Sequence, residues 1–219
     1  MNRAFTQTMC FLLLSGCSSF DFSRVAPGYV EAFKSINILL NGYQESFITP
    51  ELIKNIPYAS LVLNIGKGPE GLMILESKEG NRTTWVSADG VYLVKDNGRI
   101  IQTKGLKNNL DEILYTVDFS DLMNVSTNQT YTYYVSLSEP QLLNLKIDVR
   151  FTKKNKQLVN ILGKEKNLTL IEEEMLSKDL GWKVTNQYWV DEKSYIWKSV
   201  QTFSPKIPNL NISITKKPS

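Results

Sequence analysis

Hydrophobic and polar residues alternate with a period of two along most of the chain after residue 58. The clearest run covers residues 143–151, where apolar residues occupy every odd position and polar residues every even one. Successive side chains of a β-strand point to opposite faces, so this run predicts a half-buried strand. We expect three odd residues to be buried and three even ones exposed, namely Leu145, Ile147 and Val149 against Lys146, Asp148 and Arg150.

Shorter runs with the same period predict further strands, separated by turn residues. Asp89-Gly90 and Asn97-Gly98, which are typical of tight hairpins, lie between three of these runs. Lys153-Lys154-Asn155-Lys156 is predicted to be a turn. The other strands are predicted over residues 58–65, 72–76, 82–88, 91–95, 99–104, 157–163, 168–175, 181–190, 194–203 and 210–214, with one near 113–119 in a loop-rich stretch. Ten or more short strands indicate an all-β domain whose sheet must close or stack on another sheet.

Two segments before residue 58 have helical features. Apolar residues recur at spacings of three and four over residues 29–40, and Asn41-Gly42 follows them. This pattern predicts a short N-terminal helix. Thr49-Pro50-Glu51 can cap another short helical turn, which Pro57 must end.

The first residues have the order of parts found in a bacterial export signal. Arg3 precedes an apolar run over 9–14 that is too short to span a bilayer. The run ends in Leu14-Ser15-Gly16-Cys17, which looks like a lipobox, in which a thioether joins the cysteine to diacylglycerol. We therefore predict a signal peptide over 1–16, a lipidated Cys17 with a tether over 17–28, and one β-rich periplasmic domain over 29–219. The alternatives are a secretory signal with an unmodified cysteine and a buried amino-terminal strand.

Composition adds one strong constraint, because the chain contains no histidine. That excludes Ser-His-Asp and Cys-His nucleophilic sites and metal sites built on imidazole. Lysine and arginine total 25 and aspartate and glutamate 22, a net charge of +3 that is too even to indicate a nucleic-acid partner. We predict no cofactor, no metal and no nucleic-acid partner.

The chain has many carboxylates, and two of them could act as the acid and the base of a glycoside hydrolase. Most of them lie in predicted turns beside glycine, asparagine or serine, where hydrogen bonding within the turn explains them. Glu172-Glu173-Glu174 is contiguous, so a strand there would send Glu173 to the face opposite its two neighbours. We predict no catalytic residue and a protein that is not an enzyme.

Aromatic residues crowd the predicted hairpin over 181–203, and Trp85 lies on an earlier strand. Flat apolar rings with polar edges suit stacking on sugars and also suit the lining of a lipid cavity. The alternative is that these rings pack in the core and across strands. If they bind a glycan, we expect at least two of them to be partly exposed in a shared groove beside a polar side chain.

Several stretches, in their order along the chain, resemble a known family. They are Ile56-Pro57-Tyr58-Ala59-Ser60, Trp85-Val86-Ser87-Ala88-Asp89-Gly90, Asn97 to Leu106, Asn186 to Asp191, and Trp197-Lys198-Ser199. Together with the lipobox, they resemble the group 4 capsule polysaccharide lipoprotein family of enterobacterial capsule and exopolysaccharide operons.

This resemblance implies one antiparallel β-barrel-like domain, partly open, that faces the periplasm from the outer membrane. It implies a role in assembly or export of capsule or exopolysaccharide, with polysaccharide or proteins of the same operon as partners. The alternative is a carrier of acyl chains or lipoproteins that uses the barrel as an apolar cup. The candidate glycan or partner surface consists of Trp85, Asp89, Arg99, Trp182, Asn186, Tyr188, Trp189 and Trp197.

Overall fold

The computed structural model describes residues 48–116 and 120–218 of the chain. The predicted signal peptide, Cys17, the tether and the predicted helix over 29–40 lie outside the described residues. The described part contains no helix that is both long enough and apolar enough to cross a membrane.

The described residues form twelve strands in one antiparallel sheet. The strands are β1 Ser60–Ile65, β2 Glu70–Glu79, β3 Arg82–Ser87, β4 Tyr92–Asp96, β5 Arg99–Lys104, β6 Leu110–Tyr115, β7 Tyr131–Leu137, β8 Leu142–Ile161, β9 Lys164–Ser177, β10 Trp182–Val190, β11 Ile196–Gln201 and β12 Leu210–Lys216. Their order in the sheet is β5-β4-β3-β2-β1-β12-β11-β10-β9-β8-β7-β6. Strands β5 and β6, at its two ends, lie against each other, so the sheet curls into a nearly closed barrel. The predicted all-β, barrel-like class is confirmed.

Strands β5 and β6 are connected by a side-chain hydrogen bond. The backbone N–H of Leu110 donates to Thr103 Oγ1 at 2.9 Å. Gly105 follows β5 with φ of +85°, and a Cβ there would lie 2.5 Å from the carbonyl oxygen of Gly90. Only glycine fits such a close approach in the left-handed region, so the chain leaving β5 is fixed beside the β3–β4 turn.

A short helix, α1 (Pro50–Asn55), precedes the sheet. The Leu52 N–H donates to the side chain of Thr49 at 3.2 Å, which confirms the predicted cap. Ile53 and Ile56 pack in a cluster with residues of β1, β2 and β3 that is separate from the main core. The helix therefore covers one patch of the sheet while the main core fills the barrel.

The main core is built from large side chains contributed by nearly every strand. Trp85, Tyr133, Phe151 and Tyr188 are among its largest fully buried members. Interiors of this kind are close-packed, so the barrel is a filled one.

The clearest predicted strand has the expected faces over most of its length. Ile147 and Val149 are fully buried, and Lys146 and Arg150 are exposed. Alternation fails at the start of β8, where Asn144 has φ of +53° and Leu143 is 68 % exposed. A residue in the left-handed region breaks the pleat, and the expected burial of Leu145 is therefore only partial.

The predicted turn at residues 153–156 is wrong. Strand β8 continues to Ile161, and its register against β9 shifts between Lys153 and Lys156. A bulge of this kind admits extra residues without ending the strand. The run of exposed lysines resembles a turn in sequence because this part of β8 presents both faces to solvent.

Candidate functional site

A buried ion pair lies inside the barrel. The Arg99 guanidinium on β5 and the Glu173 carboxylate on β9 form a salt bridge, with 3 % and 1 % of their side chains exposed. The Tyr133 hydroxyl donates to Glu173 Oε1 at 2.6 Å, and the Tyr188 hydroxyl donates to Oε2 at 2.7 Å. Asn186 Nδ2 donates to the same Oε2 at 3.0 Å. The carboxylate thus has donors from β5, β7 and β10, which compensates its charge in the interior.

The electrostatics keep the arginine and the two phenols of this network protonated. Burial opposes the charged form of Arg99, but the Glu173 carboxylate together with Tyr115, Tyr133 and Tyr188 outweighs burial, and the pKa of Arg99 lies well above its usual value. Burial raises the pKa of Tyr133 and of Tyr188, and Glu173 raises both further. Both phenols therefore remain donors at neutral pH.

Space beside the ion pair is small. The cavity lined by Arg99, Tyr133, Glu173 and Tyr188 has a volume of about 10 Å³. That is room for about one water molecule, so neither a sugar nor an acyl chain fits beside these groups. The network holds together strands that are distant in sequence, and its chemistry is structural.

A much larger cavity lies at the end of the barrel where the β2–β3, β4–β5 and β10–β11 turns come together. Its volume is about 380 Å³, and Lys95 of β4 lines it. Lys95 is 2 % exposed, and burial lowers the pKa of its ammonium group from 10.5 to about 7. Among the described residues, no hydrogen bond or ion pair to its side chain is present.

A cleft of about 240 Å³ adjoins this cavity and shares Lys217 with it. Trp197 lines the cleft, and Lys166 Nζ lies 3.6 Å from the centroid of its ring. Trp197 Nε1 donates to Asp191 Oδ2 at 2.9 Å. The ring is therefore held in place by its nitrogen, while one face is in contact with an ammonium group.

Trp189 lies near Trp197, and both pack against a small apolar cluster at the end of the β8–β9 hairpin. Trp189 Nε1 donates to Gln157 Oε1 at 2.9 Å, and Lys198 Nζ lies 5.2 Å from the ring centroid. Both tryptophans are half-buried. They are a partly exposed pair of tryptophans with lysines against their rings.

Comparisons with known proteins extend over most of the chain. Residues 33–214 match the family described as "Group 4 capsule polysaccharide lipoprotein gfcB, YjbF". The chain belongs to this family.

Two proteins of Escherichia coli strain K12 are similar in sequence. One, named "Uncharacterized lipoprotein GfcB", is 24 % identical over 183 residues, which is 82 % of each chain. The other, named "Uncharacterized lipoprotein YjbF", is 25 % identical over 162 residues, covering 70 % of this chain and 73 % of the other. The crystal structure of the hypothetical lipoprotein YmcC from the same strain superimposes with a TM-score of 0.72 at 20 % identity, covering 85 % of this chain and 96 % of that one. This last likeness shows a shared fold.

The residues that carry the resemblance to the capsule lipoprotein family are largely structural. Four members of the predicted surface lie in the interior with 4 % of their area exposed or less, namely Trp85, Arg99, Asn186 and Tyr188. Burial keeps all four off the exposed surface, although Trp85, like the equally buried Lys95, lines the cavity of about 380 Å³. Asp89 is exposed and accepts a hydrogen bond from Ser87 within the β3–β4 turn. Trp182 is half-buried against the main core, away from the pair formed by Trp189 and Trp197.

Sequence reasoning missed Lys95, although the signal is present. Val91 and Leu93 are buried, and Lys95 is the next residue with the same parity in that run. Alternation places it on the interior side of the sheet. A charged residue at an interior position is the feature that distinguishes a candidate site from a solvated surface lysine.

Proposed function

We propose that this protein is an outer-membrane lipoprotein that assists the assembly or export of capsule or exopolysaccharide and does not catalyse a reaction. The observation that carries the proposal is the family match over residues 33–214, which covers nearly the whole domain. The names of both relatives from E. coli also describe lipoproteins.

The arrangement of the barrel supports action at its surface. The interior is occupied by the ion pair of Arg99 and Glu173 and by large side chains, with about 10 Å³ free beside them. This argues against the alternative in which the barrel is an apolar cup for acyl chains. The cavity of Lys95 and the cleft of Trp197 lie at the barrel end, where a glycan or a partner protein can reach them.

Membrane attachment in this proposal comes from the lipid on Cys17. The Leu14-Ser15-Gly16-Cys17 sequence supplies the thiol and the small residues before it, and Ser18 follows. In bacterial lipoproteins a serine at that position favours export to the outer membrane. Several acyl chains on one terminus are needed for stable anchoring.

The test is deletion of the gene in the producing bacterium, with polysaccharide measured at the cell surface and in the periplasm. Wild type should restore surface polysaccharide, and Cys17→Ser should not, because an unanchored barrel is not held beside its partners. Cys10→Ser is the matched control, since residue 10 leaves with the predicted signal peptide, and it should restore fully. Mass spectrometry of the mature protein should show an acylated terminus at residue 17.

Two outcomes would contradict the proposal, and each concerns a different part of it. Unchanged surface polysaccharide after deletion refutes the role in assembly or export. Full restoration by Cys17→Ser refutes the anchoring step alone.

A further inference from the structure

We propose that the cavity lined by Lys95 binds a carboxylate-bearing sugar, such as the uronic-acid unit of an acidic polysaccharide. This inference rests on the proposed function and names the class of glycan involved. Its first support is the charge of the lining. Lys78, Lys95, Lys193 and Lys217 all line the cavity, and no carboxylate does so among the described residues.

The second support is the position of Lys95 in the lining. Its side chain is nearly fully buried yet lines the cavity, and the described residues offer it no hydrogen bond or ion pair. A buried ammonium without a counter-charge is costly, and an anion placed in the cavity would remove that cost. The described residues therefore place an ammonium group at this position without a counter-charge, and an anion in the cavity would supply one.

The rest of the lining fits the other parts of a sugar. Thr83, Ser194 and Asn81 also line the cavity, and their side chains carry two hydroxyls and an amide. A hydroxyl has one donor and two acceptors, so Thr83, which accepts from Trp85, and Ser194, which donates to Asp121, keep capacity for a ligand. These groups match the hydroxyls of a carbohydrate.

Shape and size agree with that class. Tyr195 is half-buried in the lining and offers a flat apolar surface, with Lys217 Nζ 4.0 Å from the centroid of its ring. The volume of about 380 Å³ lies in the range of small-molecule sites. A free phosphate ion could bind the lysines, the hydroxyls and the amide, but it is smaller than a sugar and has no apolar face to lie against the Tyr195 ring. The lining as a whole therefore favours an acidic sugar.

Binding of a carboxylate would change the protonation of Lys95. Burial lowers its pKa to about 7 in the free protein, and a carboxylate beside the ammonium favours the charged form. The other ionisable side chains that line the cavity are Lys78, Lys193, Tyr195 and Lys217. The pKa of Lys95 should therefore rise when the ligand binds, which gives a readout located at the site.

The experiment is a titration of the mature lipoprotein, in detergent, with a glucuronate tetrasaccharide. Binding is measured by calorimetry, and the pKa of Lys95 is measured from its side-chain NMR signal. The matched arms are a neutral glucose tetrasaccharide and inorganic phosphate. We expect saturable binding of the uronate, binding of the neutral sugar weaker by about tenfold or more, and an upward shift of the Lys95 pKa on saturation. Lys95→Met should weaken uronate binding by about tenfold or more, whereas Lys107→Met, a change of an exposed lysine outside the cavity, should leave it unchanged.

Three results overturn the inference. They are equal binding of both tetrasaccharides with no effect of Lys95→Met, saturation by phosphate with none by the uronate, and absence of binding in every arm. Each is distinct from failure of the proposed function, which is decided by surface polysaccharide after gene deletion. Loss of polysaccharide on deletion, together with absent uronate binding, would leave partner docking as the mode of action.

Discussion

Replacing Lys95 with methionine should make the protein more stable, and the gain should depend on pH. The side chain is 2 % exposed, and burial lowers its pKa from 10.5 to about 7. An unfolded chain holds this proton up to its ordinary pKa, whereas the folded chain releases it near neutrality. Methionine has a similar length and no charge, so it fills the position without the desolvation cost.

The sign and the magnitude follow from proton linkage. Between the two pKa values the unfolded state binds more protons, so the stability of the wild type rises with pH across that window. Below it both states are charged and the penalty is complete, at roughly 5 kcal/mol from 1.36 kcal/mol per pKa unit. Above the ordinary pKa of lysine the penalty is gone. Lys95→Met should therefore gain a few kcal/mol near about pH 6 and progressively less toward about pH 10.

Urea unfolding of both proteins across this range is the assay, since titrations elsewhere in the chain cancel in the difference. Buffers without phosphate or carboxylates are required, because an anion that binds only the folded state would stabilise the wild type. Lys107→Met, at an exposed position, is the control and should show no such trend. A wild type at least as stable as Lys95→Met near about pH 6, or a difference that does not change with pH, would refute the reasoning.

Two further predictions concern the barrel itself. Glu173→Gln keeps the shape of the side chain but removes the carboxylate that faces Arg99, so we expect a loss of about 3–5 kcal/mol in urea unfolding; a loss below about 1 kcal/mol would contradict a charge-compensating role. Gly105→Ala should lower the unfolding midpoint well beyond Gly80→Ala, because both glycines have positive φ but only the first Cβ meets backbone, at 2.5 Å. Equal losses at the two glycines would remove the close contact as the cause.

Local pattern was enough to predict most strands, because side-chain alternation and turn dipeptides act over a few residues. Asn97-Gly98 between β4 and β5 is an example, with both residues in the left-handed region of the backbone. The parity argument at Glu173 also held, since it is buried while Glu172 and Glu174 are half-buried on the other side. Each of these inferences needs only the immediate neighbours in the chain.

Features that depend on distant partners were not accessible in this way. Arg99 and Glu173 are 74 residues apart in sequence, and Tyr133, which contacts both side chains, falls between them along the chain. Nothing within either strand indicates which charge it will meet across the barrel. The same limit explains β8, where pairing with β9 sustains a strand through lysines that, taken alone, are typical of a turn.

Arg99 and Lys95 show why burial alone does not identify a site. Both belong to strands at one end of the sheet, and alternation places both charges inside. Arg99 faces a carboxylate that also accepts from two phenols and an amide, so its charge is compensated within the fold and its role is structural. Lys95 lies beside a cavity of about 380 Å³ whose described lining contains further lysines and no carboxylate. Because the described residues leave that second charge uncompensated, an anion bound in the cavity would supply the compensation that they do not.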